Sequence, residues 1–213
     1  MRGLMKIVSQ NLPVAIQTML IKQQGMTIYY PQVIGLQNMN VQQKINQRIF
    51  QLVQSLMHQQ YKQQGVDSFE EMIGLYEIKT NERNILSLTL SNYAYAFQHA
   101  NGLTLMKSLT FDVQTGENYQ LKDLFKPGSD YVKVLSDIVQ KQIKARDIPI
   151  LNGFPGISPN QDFYIADKAL VLYFQAIEIT PHYIGLPMFP ISVFELQDII
   201  DENGPLGRMA TNA

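Results

Sequence analysis

No cysteine occurs among the 213 residues. A disulfide framework, a thiolate zinc site and a cysteine nucleophile are therefore excluded, while reducing and oxidising compartments both stay open. Charge is also scarce: 16% of residues are charged and the formal net charge is -1. Nucleic-acid binding needs clustered Lys and Arg to displace counterions from phosphates, and the 17 basic residues here are scattered. The densest group, Lys133, Lys141, Lys144 and Arg146, alternates with apolar positions and reads as the solvated face of a helix. Long hydrophobic runs are missing too. The opening stretch MRGLMKIVSQNLPVAIQTMLIK is interrupted by Lys6, Gln10, Asn11, Pro13 and Gln17. It falls short of the roughly 20 apolar residues that span a bilayer, and it lacks the apolar core and small-residue cleavage site of an export signal. The chain as written is expected to be soluble, with no visible signal or membrane-spanning segment, which reads as cytoplasmic.

Signatures of catalysis are equally sparse. Gly153-Phe154-Pro155-Gly156 carries no Lys-Ser/Thr and fails as a phosphate cradle. No Gly-x-Ser-x-Gly elbow occurs. His58, His99 and His182 lie far apart, and none has a partner at metal-ligand spacing. No cofactor or metal is expected. Glu70 and Glu71 are adjacent, so in an extended chain they point to opposite faces. Glu178 stands four residues before His182. A contact there would orient the imidazole as a base, which gives an alternative reading: a hydrolase acting on a cell-envelope substrate. The blander reading of that pair is a surface ion pair.

What the chain does have is enough apolar content, 46%, to bury a core. VAIQTMLIK and MTIYYPQVI read as a hairpin turned at Gly25, with Pro31 at an edge or strand end. Val41, Ile45, Ile49, Leu52, Val53 and Leu56 recur at helical spacing over 40–63, with an uncharged Gln-rich face opposite and Gly65 as the stop. Three strand runs follow (72–80, 85–97, 103–113). In the second, Leu86, Leu88 and Leu90 alternate with Ser87, Thr89 and Ser91, the pattern of a sheet with one face buried. Asn101-Gly102 is the turn signal between the last two. Ser129 is placed to cap a second helix over 130–146 whose stripe is Val132, Leu135, Ile138, Val139 and Ile143. DFYIADKALVLYFQAIEI reads as two short strands around Asp167-Lys168, and ISVFELQDII as a strand entering a short helix.

This order gives an α+β fold: antiparallel sheets packed against two main helices, plus a short C-terminal helix. One domain is expected, with about 14–65 and 66–202 as its finest division and 203–213 as a mobile tail. Open strand edges in 14–34 leave homo-oligomer formation as a third functional reading.

The stretch ITPHYIGLPMFPI (179–191) holds the strongest binding signal. Pro181, Pro187 and Pro190 restrict φ and lower the entropy lost on ordering. Gly185 permits a turn, and Tyr183 and Phe189 offer large rigid surface. The competing reading is a stiff corner, with both rings plugged into the core.

Three segments carry a resemblance: VQQKINQRIF, LTFDVQTGENYQLKDLF and DFYIADKALVLYFQAIEITPHYIGLPMFPISVFELQDII. Together they resemble the extracellular domain of RsiV-type anti-sigma factors, which also accompanies the deacetylase module of some peptidoglycan deacetylases. The likeness runs from about residue 14 to 202. Its more specific parts are Phe111 to Gly116, then Leu121 to Phe125, and Tyr173 to Pro187. The family usually reads Pro-Tyr-Ala-x-Gly where this chain has Pro181-His182-Tyr183-Ile184-Gly185. The resemblance implies an α+β domain without catalysis of its own, exposed at the cell envelope. It also implies lysozyme, or another envelope protein or glycan, as partner. The implied contact residues are Pro181, His182, Tyr183, Gly185 and Phe189.

Overall fold

The computed structural model describes residues 12–211, so the reading of residues 1–11 lies outside it. β1 (Ala15–Gln23) and β2 (Met26–Ile34) form the expected hairpin. α1 (Met39–Gln64) follows. Asn38 accepts hydrogen bonds from the backbone of Asn40 and Val41 at its start, and Gly65 closes it in the left-handed conformation. The helix carries the chain across to β3 (Glu71–Glu82), which pairs with β2 in parallel over Met26–Ile28 only. Pro31, with no N–H to offer a ladder, sits beyond that pairing.

β4 (Ile85–Tyr95) and β5 (Leu103–Asp112) complete a five-stranded sheet in the order β1-β2-β3-β4-β5. Arg83 and Asn84 turn β3 into β4 with positive φ at both residues, 51° and 61°, the two-residue turn whose twist matches its strands. Between β4 and β5 the positive φ falls on Gln98 rather than on Asn101-Gly102. Gly102 serves packing: a Cβ there would lie 2.3 Å from the Tyr93 ring.

The sheet is not covered on one face only, as the Leu/Ser alternation of β4 suggests. Leu86, Leu88 and Leu90 pack against Ile45, Ile49, Val53 and Leu56 of α1. The opposite, hydroxyl-bearing face is buried as well, with Ser87 at 0% exposure and Thr89 at 3%. A second antiparallel sheet covers it: β6 (Phe163–Ala166), β7 (Ala169–Tyr173) and β8 (Met188–Ser192). The outer edge of β6 finds its hydrogen bonds on those hydroxyls. Ile165 N–H donates to Ser87 Oγ at 2.9 Å, Thr80 Oγ1 donates to Ile165 O at 2.9 Å, and Ser108 Oγ donates to Phe163 O. A hydroxyl both donates and accepts, so a polar face can satisfy the bare edge of a strand where an apolar face would orphan it. Replacing Ser87 by alanine leaves the Ile165 N–H without its partner. The expected loss is about 2 kcal/mol of unfolding free energy, read as a lower urea midpoint at unchanged slope.

α2 (Tyr131–Ala145) lays Leu135, Val139 and Ile143 on the small sheet. Its cap is Asp130, not Ser129: the Asp130 carboxylate accepts from Lys133 N–H at 3.3 Å. Lys133, Lys141 and Lys144 are solvated as expected. The tail expected after Asn203 is instead ordered into α3 (Pro205–Ala210), because Leu206 and Met209 are fully buried in the α2 cluster. Among the described residues three hydrophobic clusters result, one between α1 and the large sheet, one around α2, the small sheet and α3, and a smaller one of Met106, Tyr164, Val171 and Tyr173, while the large sheet itself runs across residue 65. Among the described residues no helix is long and apolar enough to cross a membrane.

Candidate functional site

Residues 179–191 leave the small sheet and return to it as β8. Both feet are fixed. Ile179 is buried and its carbonyl accepts from Leu151 N–H at 3.0 Å. Pro187 O accepts from Phe174 N–H at 3.2 Å. Between them His182–Ile184 form one tight helical turn: Ile184 N–H donates to Pro181 O and Gly185 N–H to His182 O. Gly185 leaves that turn at φ 72°, ψ -128°, a region only glycine enters without strain.

The predicted contact residues separate. Pro181, His182, Tyr183 and Gly185 share the turn, and Tyr183 is 77% exposed. Phe189 is a correction, since it is 0% exposed and belongs to the core. Its ring meets Phe174 edge to face at 5.8 Å between centroids, and the Arg146 guanidinium lies 5.5 Å from its centre. In β8 the alternation of period two turns Phe189 and Ile191 inward and leaves Pro190 exposed. The two halves of the question posed by the sequence thus have different answers: the turn displays one ring and the strand plugs the other.

Sequence reading missed several neighbours of the turn. Arg146, counted there as one more solvated cation, donates from Nη1 to Met188 O at 2.8 Å, and Gln142 Nε2 donates to Pro190 O at 2.7 Å, so the end of α2 holds β8. A cleft of about 390 Å³ opens between these parts, lined by Arg146, Asp147, Ile148, Ile184, Leu186 and Met188 among others. Ile177 is half exposed and holds a φ of 67°, rare for a β-branched residue. Leu151, bonded to the foot of the turn, is 45% exposed. No local signal in the sequence marks either as displayed.

The Glu178–His182 pair does not assemble. The Glu178 carboxylate accepts from Gln175 N–H at 2.7 Å, and His182 stands exposed on the turn. Among the described residues no three His, Asp or Glu side chains gather within reach of one metal ion.

Comparison with known proteins meets this geometry from outside. Residues 122–193 match the family described as a protein of unknown function, DUF3298, and residues 21–96 match the family described as Deacetylase PdaC. The chain is 25% identical over 192 residues to the anti-sigma-V factor RsiV of Bacillus subtilis, covering 84% of this chain and 66% of that protein. It is 26% identical over 136 residues to the peptidoglycan-N-acetylmuramic acid deacetylase PdaC of the same organism, covering 60% and 28%. The chain therefore spans only part of either relative. Its fold is shared with a DUF3298-family protein of Bacteroides fragilis, with a TM-score of 0.69 at 12% identity over 94% of this chain and 99% of that one. A DUF3298-family protein of Pseudomonas aeruginosa matches with a TM-score of 0.66 at 15% identity over 95% and 98%. A PdaC-type segment leading into a DUF3298 segment, on an α+β fold of two sheets and two main helices, supports an RsiV-like, PdaC-associated domain.

Proposed function

We propose that this chain is a non-catalytic recognition domain of the bacterial cell envelope, binding a protein or cell-wall ligand through the 179–191 segment. One observation carries the reading: Tyr183 stands on a turn pinned at both feet. A large ring already held in place loses little freedom when a partner covers it, which is what makes tyrosine an efficient contact residue. Pro181, His182 and Gly185 shape the turn, Leu151 bonds its first foot, and Phe189, in the strand that follows, is anchored in the core. The envelope assignment rests on the RsiV and PdaC relatives, one of which is named for its action on peptidoglycan.

Calorimetric titration with lysozyme, the partner that the RsiV resemblance implies, tests the reading, with soluble peptidoglycan fragments as the second titrant. Saturable heat is expected with one of them, and Tyr183→Ala is expected to weaken it by roughly tenfold or more while leaving the thermal midpoint in place. Silence with both titrants, or full affinity in the variant, overturns the assignment.

A further inference from the structure

A second cleft, away from the turn, lies along the free edge of β5. It encloses about 250 Å³ and is lined from α1 by Arg48, Leu52 and Gln59 and from the facing loops by Asn118 and Asp162. Edge strands present every second backbone N–H and C=O outward. In β5 those residues are Thr104, Met106, Ser108, Thr110 and Asp112, since the register with β4 is unbroken. The chain covers Met106, the carbonyl of Thr110 and Asp112. The Gln175 side-chain amide accepts from Met106 N–H and donates to Met106 O, at 3.2 and 2.8 Å. Tyr119 N–H donates to Thr110 O at 2.8 Å, and Asp112 N–H donates to Glu117 O at 2.9 Å. Between these plugs the N–H and C=O of Ser108 face the cleft. Asn118 lines the same space, and its buried side-chain oxygen Oδ1 has no partner among the described residues.

We infer that this gap is a binding site for a compact N-acylated ligand that carries an oxygen acceptor on the carbon next to the one bearing its amide nitrogen, and that pairs with Ser108 as one residue of an added strand would. The chemistry follows from the order of groups: in an added strand the N–H and C=O that meet one edge residue flank a single carbon and belong to two successive amides, so the ligand's amide N–H donates to Ser108 O while an oxygen on the neighbouring carbon accepts from Ser108 N–H. Gln175 on one side and Tyr119 on the other stop a polypeptide from running along the edge, so the ligand is a single N-acylated unit. The polar rim of Arg48, Gln59 and the Lys107–Asp162 ion pair, 2.7 Å between charged atoms, suits hydroxyl or carboxylate substituents on it. The gap at Ser108 does not depend on Tyr183 or on the binding role of the turn.

Proton–nitrogen NMR titration of the whole chain reads the Ser108 amide directly. The probes are N-acetylglucosamine and N-acetylglycine N-methylamide, beside the ester analogue of the second in which oxygen replaces the acetylated N–H. A saturating shift at Ser108 with either amide supports the site, and which probe gives it decides between a sugar and an amino-acid source. The ester is expected to bind roughly tenfold more weakly, because it offers nothing to Ser108 O. Asn118→Ala is expected to weaken the amide while Tyr183→Ala leaves it unchanged. An unmoved Ser108 resonance with both amides, or equal affinity for the ester, overturns the inference.

Discussion

Truncating Phe189 to alanine is expected to lower the unfolding free energy by about 4 kcal/mol. The side chain is fully enclosed, edge to face with Phe174, which itself meets Phe154 edge to face at 6.0 Å. Three rings in series leave no small group free to move into the space. Phe189 is paired with Leu172 in the centre strand of the small sheet, and that pairing restrains collapse from the backbone side. The loss should therefore sit in the upper part of the range for large-to-small core changes. Arg146 gives the prediction a second handle: its guanidinium rests over the ring while Nη1 bonds Met188 O. The variant should thus loosen the foot of the displayed turn as well. Urea unfolding checks both, set beside Tyr183→Ala, which should stay within about 0.5 kcal/mol of the parent because its ring packs little. Near-equal losses in the two variants would mean that the assignment of one ring to the core and the other to display is wrong.

That division between Tyr183 and Phe189 also marks how far the sequence could be read. Elements governed by local periodicity were legible: the stripe from Val41 to Leu56 set α1, and the alternation at Leu86, Leu88 and Leu90 set β4. The fate of the Ser87 face was not, because what buries it is β6, some 78 residues downstream, and a hydroxyl looks the same in sequence whether it meets water or Ile165 N–H. Composition misled at the C-terminus. Glycines and a proline suggested a loose tail, yet Pro205 sits at the first turn of α3, where its missing N–H costs no helical bond, and Leu206 and Met209, three apart, share the buried side. Of the candidate site, the stiff turn was visible from Pro and Gly spacing, but which of its two rings is displayed was not, since burial of Phe189 is set by Phe174 and the pairing with β7. Nor was the cleft beside the turn, because Arg146 comes from another element. The gap at Ser108 was hidden for a similar reason, since it exists only where Gln175 and Tyr119 stop covering an edge.

Asp112→Asn is expected to cost about 3 kcal/mol at neutral pH, in the range for breaking a buried charge pair from one side. The carboxylate, at the end of β5, is 7% exposed. One oxygen accepts from the N–H groups of Gln114 and Thr115 at 2.8 and 3.1 Å. The other accepts from Arg208 Nη2 at 2.9 Å and from the Tyr119 hydroxyl at 3.3 Å. Asparagine can keep one of these sets but offers NH₂ where Arg208 needs an acceptor. Burial works to raise the carboxyl pKa, but the Arg208 guanidinium and the two backbone N–H groups outweigh it and hold the group below its ordinary value. The sign follows: with the folded pKa depressed, the stabilisation is complete above the unfolded carboxyl value of 3.8 and drains away as pH falls through the folded one. The gap between parent and variant should therefore be constant from neutral pH to about pH 5 and close in more acid solution. A gap independent of pH down to 2 would remove the charge from the account and leave only shape. The consequences reach beyond stability, because Arg208 is the link between α3 and the large sheet. Arg83 braces it by donating to the carbonyls of Arg208 and Met209 at 3.0 and 2.7 Å. The turn that Asp112 organises carries Asn118 and Tyr119, one wall of the cleft at Ser108. Loss of the carboxylate should therefore weaken amide binding at Ser108 at neutral pH while leaving the Tyr183 turn, more than 60 residues further along the chain, with its own hydrogen bonds intact.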